Sequence, residues 1–281
     1  MIDLHIHSNC SDGTKSPEEI IKYAIQKKIE VISITDHDTA KSARILKDKE
    51  IPIEFVPGIE LSIQYDKKLR LHLIGLFIDP FSKEVFEIEN LQAKLREERN
   101  LKIYEKLRNL NFDISFEEVK KEARITVGRL HFANCLVKKG YFKEPNEAIE
   151  KLLKPSRPAF VERKRLSAVE GIERIKKMKG ISIIAHIGKE TNDSEKIFEI
   201  LKRLKDIGLD GLEVYHSDHS LKITKDLKKI SKDLSLLASG GSDYHGLNKK
   251  SVEIGLGRGN LKIPYKIYIK LKNYWSKNFS I

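Results

Sequence analysis

The first thirteen residues read MIDLHIHSNCSDG (1–13), and this stretch predicts how the chain folds. MIDLHIH has the length and apolar character of a buried strand, and the polar residues that follow it are typical of a loop. Ser16, Pro17 and Glu19 then mark a helix start, because Ser at the cap, Pro in the first turn and Glu three residues after the cap form a capping box. The chain therefore opens with a strand, a loop and a helix.

The same unit recurs along the chain. Further apolar runs that alternate with helical patterns are VISIT (31–35), ISIIAH (181–186), LDGLEVY (209–215) and LSLLASGGSDYH (234–245). Apolar strands separated by helices predict a mainly parallel sheet covered by helices, with a closed or distorted barrel as the leading form. Two further strands, GIELSIQY (58–65) and LRLHLIGLFI (69–78), are joined by a short turn and predict a hairpin-like pair.

Residues 80–158 interrupt this pattern with helices alone. A long charged helix is predicted from about residue 83 to residue 110, and shorter helices near 115–123, 128–139 and 145–154. KPSRP (154–158) contains two prolines and marks the return to the barrel. The predicted organisation is a first barrel part over 1–79, an inserted helical substrate-binding subdomain over 80–158, and a second barrel part over 159–281.

The composition limits which classes of protein the chain can belong to. Of the 281 residues, 33% are charged and 40% are hydrophobic, which is typical of a globular protein. No apolar run approaches the roughly 20 residues that cross a bilayer, so no membrane partner is expected. The N-terminus does not have the pattern of a signal peptide, and Cys10 and Cys135 form no CxxC pair. We expect a cytoplasmic protein in a reducing compartment.

The net charge of +12 predicts a positive potential that attracts phosphate-bearing molecules. It does not choose among small nucleotides and nucleic acids. The lysines are spread along helix faces, where a solvated surface is the plain interpretation.

Nine side chains stand at or just beyond the ends of predicted strands, where the active site of a βα-barrel is built. They are His5, His7, Asp12, His37, Glu60, His72, His186, Asp243 and His245. His5 and His7 are two residues apart on a strand, so both rings project to one face and can chelate one ion. Glu60 is costly to bury without a cation, and it is placed to bridge two ions. The pattern predicts a metal site.

The chain resembles the PHP (polymerase and histidinol phosphatase) family of metallophosphoesterases. The resemblance rests on motifs in the family's order: HIHSNCSDG (5–13), ITDHDT (34–39), PGIELS (57–62), HLIG (72–75), AH (185–186) and GSDYH (241–245). It implies an α/β fold, a distorted (βα)₇ TIM-like barrel that holds three divalent metal ions.

The resemblance also implies a ligand set for each ion. The first ion would take His5, His7, Glu60 and Asp243; the second would share Glu60 and add His72 and His186; the third would take Asp12, His37 and His245. The mixed imidazole and carboxylate ligation suits Mn, Zn or Fe and does not choose among them. Mn²⁺ is the first choice. A metal-bound hydroxide held by Glu60, His72, His186 and Asp243 is the expected nucleophile. Asp36 and Glu213 are expected to orient neighbours rather than bind an ion.

The insertion carries ITVGRLHFA (125–133), which resembles a segment of the PHP branch that removes the 3′-phosphate of nucleoside 3′,5′-bisphosphates and attacks short RNA from the 5′ end. The resemblance implies that Arg129 clamps a phosphate and that His131 makes a second contact. A surface arginine and a helix-capping histidine are the plain alternatives. Arg157 is a further candidate for substrate binding, and a substrate-loop or surface role is expected for His216 and His219.

The expected function is metal-dependent hydrolysis of nucleotide phosphate monoesters, with short RNA as a further substrate. Histidinol phosphatase is one alternative, although the long insertion argues against it. A noncatalytic PHP module that binds nucleic acid or a protein partner is the other. Such modules tend to lose ligands, whereas all nine are present here.

Overall fold

Eight strands form a nearly closed barrel in the computed structural model, which describes residues 1–122 and 127–279. The strands are β1 (Ile2–Ile6), β2 (Val31–Ile34), β3 (Glu54–Gln64), β4 (Arg70–Leu76), β5 (Leu166–Ser167), β6 (Ile181–Ile184), β7 (Gly211–His216) and β8 (Leu237–Gly241). Their order around the sheet is β1-β2-β3-β4-β6-β7-β8, and the short β5 pairs with β3 outside this path. The predicted α/β barrel is confirmed.

Helices connect most of the strands. Those in the described residues are α1 (Pro17–Gln26), α2 (Lys41–Leu46), α3 (Lys83–Asn109), α4 (Phe116–Lys121), α5 (Arg129–Lys138), α6 (Pro145–Ala148), α7 (Ala168–Lys177), α8 (Ser194–Asp206), α9 (Leu221–Asp233) and α10 (Tyr265–Phe279). A π-helical turn (Ile149–Leu153) continues α6, and 3₁₀ turns follow β6 (Ile187–Lys189) and β8 (Gly246–Lys249). Helix α1 begins with the predicted capping box between Ser16 and Glu19.

The sheet is parallel except around β4. Strand β4 pairs antiparallel with β3 on one side and with β6 on the other, and the predicted hairpin is confirmed. The barrel closes through residues just beyond β8, because the Asp243 N–H donates to the His5 carbonyl at 2.8 Å and the His7 N–H donates to the Tyr244 carbonyl at 2.9 Å. Closure therefore places the two predicted ligand segments, at opposite ends of the chain, side by side.

Buried apolar side chains fill the barrel, and α10 packs against one of these clusters. Ile2, Leu4, Ile74 and Ile183 of the strands belong to the same cluster as Tyr268 of α10. Trp275 also donates its indole N–H to the Lys179 carbonyl at 2.7 Å. The basic, aromatic C-terminal segment thus packs on the barrel.

The chain divides into two units, a barrel unit (residues 1–88 and 166–281) and a helical unit (residues 89–165). The bounds differ from 80–158 because Val85 and Ile88, in the first turns of α3, are buried, and Glu84 pairs with Arg174 of α7. At the other end, the Lys106 ammonium donates to the Phe160 carbonyl at 2.9 Å within the helical unit. The helical unit has its own buried core, which includes Ile103, Leu107, Phe132, Leu136 and Leu153.

Candidate metal centre

The Glu60 carboxylate lies at the centre of a cluster of imidazoles. Glu60 is on β3 and is only 1% exposed. Its Oε1 lies near His72 Nδ1 (3.1 Å), His186 Nε2 (3.2 Å) and His5 Nε2 (3.4 Å), and its Oε2 lies near His37 Nδ1 (2.9 Å) and His7 Nε2 (3.2 Å). Five predicted ligands, which lie in or just after β1, β2, β4 and β6, thus surround one carboxylate, which is the arrangement expected of a bridging ligand.

Asp12 gathers a second set of imidazoles at the solvent side of the cluster. Its Oδ1 lies 3.3 Å from His245 Nε2 and 3.6 Å from His7 Nδ1, and its Oδ2 lies 3.7 Å from His37 Nε2. The side chain of Asp12 is 53% exposed, whereas His7 is fully buried. This set is therefore the part of the cluster most open to solvent.

Asp243 completes the predicted set from the other side. Its Oδ1 lies 3.4 Å from His7 Nε2, 3.4 Å from His245 Nδ1 and 3.7 Å from His5 Nε2. Asp243 and His186 both have positive φ angles, of 56° and 29°. Such backbone conformations are costly for residues other than glycine and cluster at functional sites. The barrel unit brings all nine predicted ligands together.

Ligand atoms fall into four groups whose members lie within 4.8 Å of one another. They are His7, Asp12, His37 and His245; His5, His7 and Glu60; His37, Glu60 and His72; and His5, His216 and Asp243. The predicted sets recur in part. His7 approaches the Asp12 group as well as Glu60, His37 joins Glu60 and His72, His216 approaches Asp243, and His186 belongs to none of these four groups.

Several buried polar atoms of the cluster have no hydrogen-bond partner among the described residues. They are His7 Nδ1, His37 Nδ1, Glu60 Oε2 and His186 Nδ1. His37 Nδ1 and Glu60 Oε2 approach to 2.9 Å without the alignment of a hydrogen bond. Unpaired buried polar atoms cost free energy, and divalent cations would satisfy those that face the cluster, such as His37 Nδ1 and Glu60 Oε2. The donor set therefore fits metal ions.

Neighbouring groups select which ring nitrogens face the cluster. His5 Nδ1 lies 3.0 Å from Glu213 Oε1, so its Nε2 is left for the cluster. His245 donates its Nδ1–H to the Asp243 carbonyl at 2.9 Å, which likewise leaves Nε2 facing Asp12. Glu213 also accepts the His186 N–H at 2.8 Å through Oε2. One buried carboxylate thus holds two predicted ligands.

The electrostatics of the cluster favour ionised carboxylates. Burial raises the pKa of Glu60, but the imidazoles of His37, His72 and His5 outweigh it and hold that pKa well below its usual range. Burial likewise raises the pKa of Glu213, and the nearby imidazoles of His5 and His216 lower it to about 2. The ionised form is the form in which a carboxylate binds a divalent metal ion.

Asp36 holds the loop after β1, which carries Asp12. Its carboxylate accepts the Ser8 N–H at 2.8 Å, the Ser8 hydroxyl at 2.7 Å and the Ser11 hydroxyl at 2.6 Å. Ser42 of α2 also donates to it. Asp36 thus orients the neighbouring loop, as the sequence indicates.

The sequence predicts a substrate-loop or surface role for His216 and His219. Both His216 and His219 are buried, at 2% and 5% exposure, so a surface role is wrong for either. His216 Nδ1 accepts the Asp218 N–H at 3.0 Å, and therefore Nε2 carries the proton and donates to Asp243 Oδ2 at 3.2 Å. This tautomer makes His216 a support for Asp243 rather than a ligand. His219 donates its Nδ1–H to the Val214 carbonyl at 3.2 Å.

The three predicted substrate contacts lie in the helical unit. Arg129 begins α5, is exposed, and its guanidinium lies 3.5 Å from the Leu153 carbonyl. His131 accepts the Gly128 N–H through Nδ1 at 2.8 Å, so it caps α5 and keeps Nε2 as a donor. Arg157 is exposed in a turn after the π-helical segment. Ile125 and Thr126 of the same motif lie outside the described residues.

The helical unit also concentrates positive charge. Burial, together with the nearby arginines at 96, 163, 129 and 165, lowers the pKa of the Arg99 guanidinium to about 10. Arg99 Nε is buried without a hydrogen-bond partner in the described part of the chain. Because like charges repel, such a group of arginines favours an anion nearby.

The PHP domain family matches residues 3–208, most of the chain. The chain belongs to the PHP family. Among curated proteins, this PHP chain is 29% identical over 245 residues to a 5′-3′ exoribonuclease of Haemophilus influenzae, covering 86% of the chain and 89% of that protein. It is 28% identical over 260 residues to a 3′,5′-nucleoside bisphosphate phosphatase of Chromobacterium violaceum, covering 90% of each.

Solved structures share the fold. One is an amidohydrolase of Chromobacterium violaceum with bound sulfate and no metal, with a TM-score of 0.77, 26% identity, and coverage of 97% of this PHP chain and 96% of that one. Another, from Bifidobacterium adolescentis, is assigned as a metal-dependent phosphoesterase, with a TM-score of 0.76, 26% identity, and coverage of 96% and 94%. The predicted family and PHP fold are confirmed.

Across residues 1–122 and 127–279, every helix is too short or too polar to cross a membrane.

Proposed function

We propose that this PHP protein is a metal-dependent hydrolase of nucleotide phosphate monoesters, with nucleoside 3′,5′-bisphosphates as the main substrates and short RNA attacked from the 5′ end. The observation that carries the proposal is the buried Glu60 carboxylate, whose two oxygens lie within 3.4 Å of nitrogens of five histidines. Burying so many polar groups together costs free energy unless cations bind between them.

Three divalent ions fit the nine predicted ligands, and Mn²⁺ is our first choice, with Zn or Fe as alternatives. His5, His7, Glu60 and Asp243 would hold the first, Glu60, His72 and His186 the second, and Asp12, His37 and His245 the third. Divalent cations bound there would polarise a phosphoryl group and lower the pKa of water enough to provide a nucleophile near neutral pH.

The chain's own residues prepare the ligands before substrate binds. Glu213 fixes the His5 ring through Nδ1 and keeps Nε2 toward Glu60. His216 holds one oxygen of Asp243, so the other oxygen faces His5 and His7. Asp36 fixes the loop that carries Asp12. Ligands held in advance need not be ordered during binding, which raises affinity for the ions.

A nucleotide substrate is supported by two observations. Relatives that match 86–90% of the chain are named for nucleoside bisphosphate and RNA substrates. The helical unit gathers arginines around Arg99, and arginine forms bidentate hydrogen bonds with phosphate oxygens. We propose that Arg129, His131 and Arg157 bind the phosphate or sugar of the substrate, with His131 donating from Nε2.

The test is phosphate release by purified protein loaded with Mn²⁺, Zn²⁺ or Fe²⁺. Adenosine 3′,5′-bisphosphate, a short 5′-phosphorylated oligoribonucleotide and histidinol phosphate are compared. We expect the bisphosphate to be hydrolysed fastest and activity to disappear on exhaustive chelation by EDTA. Preferred release from histidinol phosphate would favour that alternative activity. Binding of fewer than two ions per chain, with no turnover, would favour a noncatalytic module.

We also propose a cytoplasmic location, because Cys10 and Cys135 are both free and buried in the described structure. Free cysteines are typical of a reducing compartment. Cell fractionation that recovers the protein outside the cytoplasm would contradict this proposal.

A further inference from the structure

Asp243 divides its two carboxylate oxygens between two environments. Oδ1 faces the ring nitrogens His5 Nε2, His7 Nε2 and His245 Nδ1 at 3.4–3.7 Å. Oδ2 faces the other way, where it accepts from His216 Nε2 at 3.2 Å and lies near two lysine ammonium groups. The lysines are not among the predicted site residues.

The two lysines reach Asp243 from separate loops. Lys249 Nζ lies 2.5 Å from Asp243 Oδ2, and Lys189 Nζ lies 3.6 Å from the same oxygen. Each ends a 3₁₀ turn that starts directly after a predicted ligand, Ile187–Lys189 after His186 and Gly246–Lys249 after His245. Their side chains are 34% and 26% exposed, whereas the Asp243 side chain is 5% exposed. The ammonium groups therefore stand between the buried ligands and solvent.

Asp243 supplies the negative charge that balances the ammonium groups of Lys189 and Lys249. Lys189 Nζ also lies 3.7 Å from Asp218 Oδ2, but Arg258 Nε already donates to Asp218 Oδ1 at 2.9 Å. When Asp243 binds a metal cation, its negative charge no longer balances the two ammonium groups. Two neighbouring ammonium groups beside divalent cations repel one another, and an anion at the same place would remove that repulsion.

We infer that Lys189 and Lys249 bind the phosphoryl oxygens of the phosphate monoester that is hydrolysed. This inference rests on the proposed function and names residues of the same site. The ammonium groups would exchange Asp243 Oδ2 for oxygens of the dianionic phosphoryl group, to which lysine binds as a compact point charge. They lie beside Asp243, within the barrel unit that carries the predicted ion ligands, so their ligand is the reacting phosphate.

The experiment measures inorganic phosphate binding to the metal-loaded protein by calorimetry, which requires no turnover. Lys189→Met and Lys249→Met should each raise the Kd for phosphate about tenfold or more, the loss expected for one charge-assisted hydrogen bond. Metal content, measured by mass spectrometry of the metals, should stay at the wild-type value. Lys249→Arg should restore part of the affinity, and Lys250→Met, an exposed neighbour, is the matched control and should bind like the wild type.

Two outcomes would overturn the inference. One is a phosphate Kd that is unchanged in both methionine variants, or no phosphate binding by the metal-loaded wild type. The other is metal loss that accounts for the weaker binding, which would mean that the lysines only neutralise Asp243. Weaker phosphate binding in the variants of a protein that hydrolyses no nucleotide would support the lysine site and contradict the proposed function alone. Nucleotide hydrolysis by the wild type, with phosphate affinity unchanged in the variants, would support the proposed function and contradict the lysine site.

Discussion

Glu213 Oε1 lies 3.0 Å from His5 Nδ1, and both side chains are fully buried. The carboxylate thereby fixes the ring of the first histidine in the chain and points its other nitrogen at Glu60. Through Oε2 the same carboxylate holds the backbone of His186. A residue inside β7 thus orients ligands from β1 and from the loop after β6.

Glu213→Gln should lower metal affinity about 10- to 100-fold, the usual cost of losing a group that orients a ligand. The amide keeps the shape of the side chain but not its charge, so it no longer favours the required form of His5. Metal content after dialysis against graded chelator concentrations measures the change. Glu199→Gln, on the exposed face of α8, is the control. Equal retention of ions by the two variants would refute the role of Glu213.

Asp36→Asn should reduce the bound metal by about one ion per chain. The loop that carries Asp12 is held to Asp36 by the Ser8 amide and by the Ser8 and Ser11 hydroxyls, and an amide accepts these hydrogen bonds less strongly. The ion that depends on Asp12 should be lost first, while Glu60 and its imidazoles retain theirs. Metal stoichiometry is the measurement, with Asp48→Asn at an exposed position as the control. Uniform loss of every ion would contradict a loop-specific role.

His216→Ala should reduce kcat about tenfold or more, because Asp243 loses the N–H that fixes its outer oxygen. His216→Gln can supply an N–H donor from a similar distance and should recover part of the rate. If His216 were instead a metal ligand, glutamine would not restore the rate and the metal content would fall in both variants. Steady-state kinetics on adenosine 3′,5′-bisphosphate, together with metal analysis, separates these results.

Arg129→Ala should raise KM for adenosine 3′,5′-bisphosphate about 10- to 100-fold and leave the metal content intact, because one charged hydrogen-bond donor to phosphate is removed. Arg108→Ala is a matched control in the same helical unit, since that arginine pairs with the exposed Asp113. Loss of bound ions in Arg129→Ala would show that the residue supports the metal centre instead. An unchanged KM would remove it from the substrate site.

Much of the architecture could be predicted from short-range patterns. Ser16 with Glu19 and the hairpin between β3 and β4 are local signals, and the structure contains both. Seven of the ligand residues were recognisable because they lie at or beyond the C-terminal end of a parallel strand, where barrel geometry brings strand ends together. Glu60 lies inside β3, and His72 lies near the start of the antiparallel strand β4. The sequence pattern therefore predicts the barrel and predicts that the ligand segments lie close together.

The remainder depends on contacts that no local pattern encodes. The role of His216 follows from its tautomer, which the Asp218 N–H selects, and from its approach to Asp243 after barrel closure. His7 approaches both Glu60 and Asp12 because of its ring orientation, which sequence spacing does not specify. The start of the helical unit falls inside α3, where the helical pattern continues without a break.

Barrel closure through Asp243 and Tyr244 couples ion binding to folding. The backbone groups of His5 and His7 that pair with this segment belong to the same residues whose side chains face the cluster. Any cation that prefers the closed arrangement therefore contributes its binding free energy to joining the first and last strands. The amides of His7 and Asp243 should exchange hydrogen faster once the ions are removed, since the polypeptide would then open first where its two ends meet.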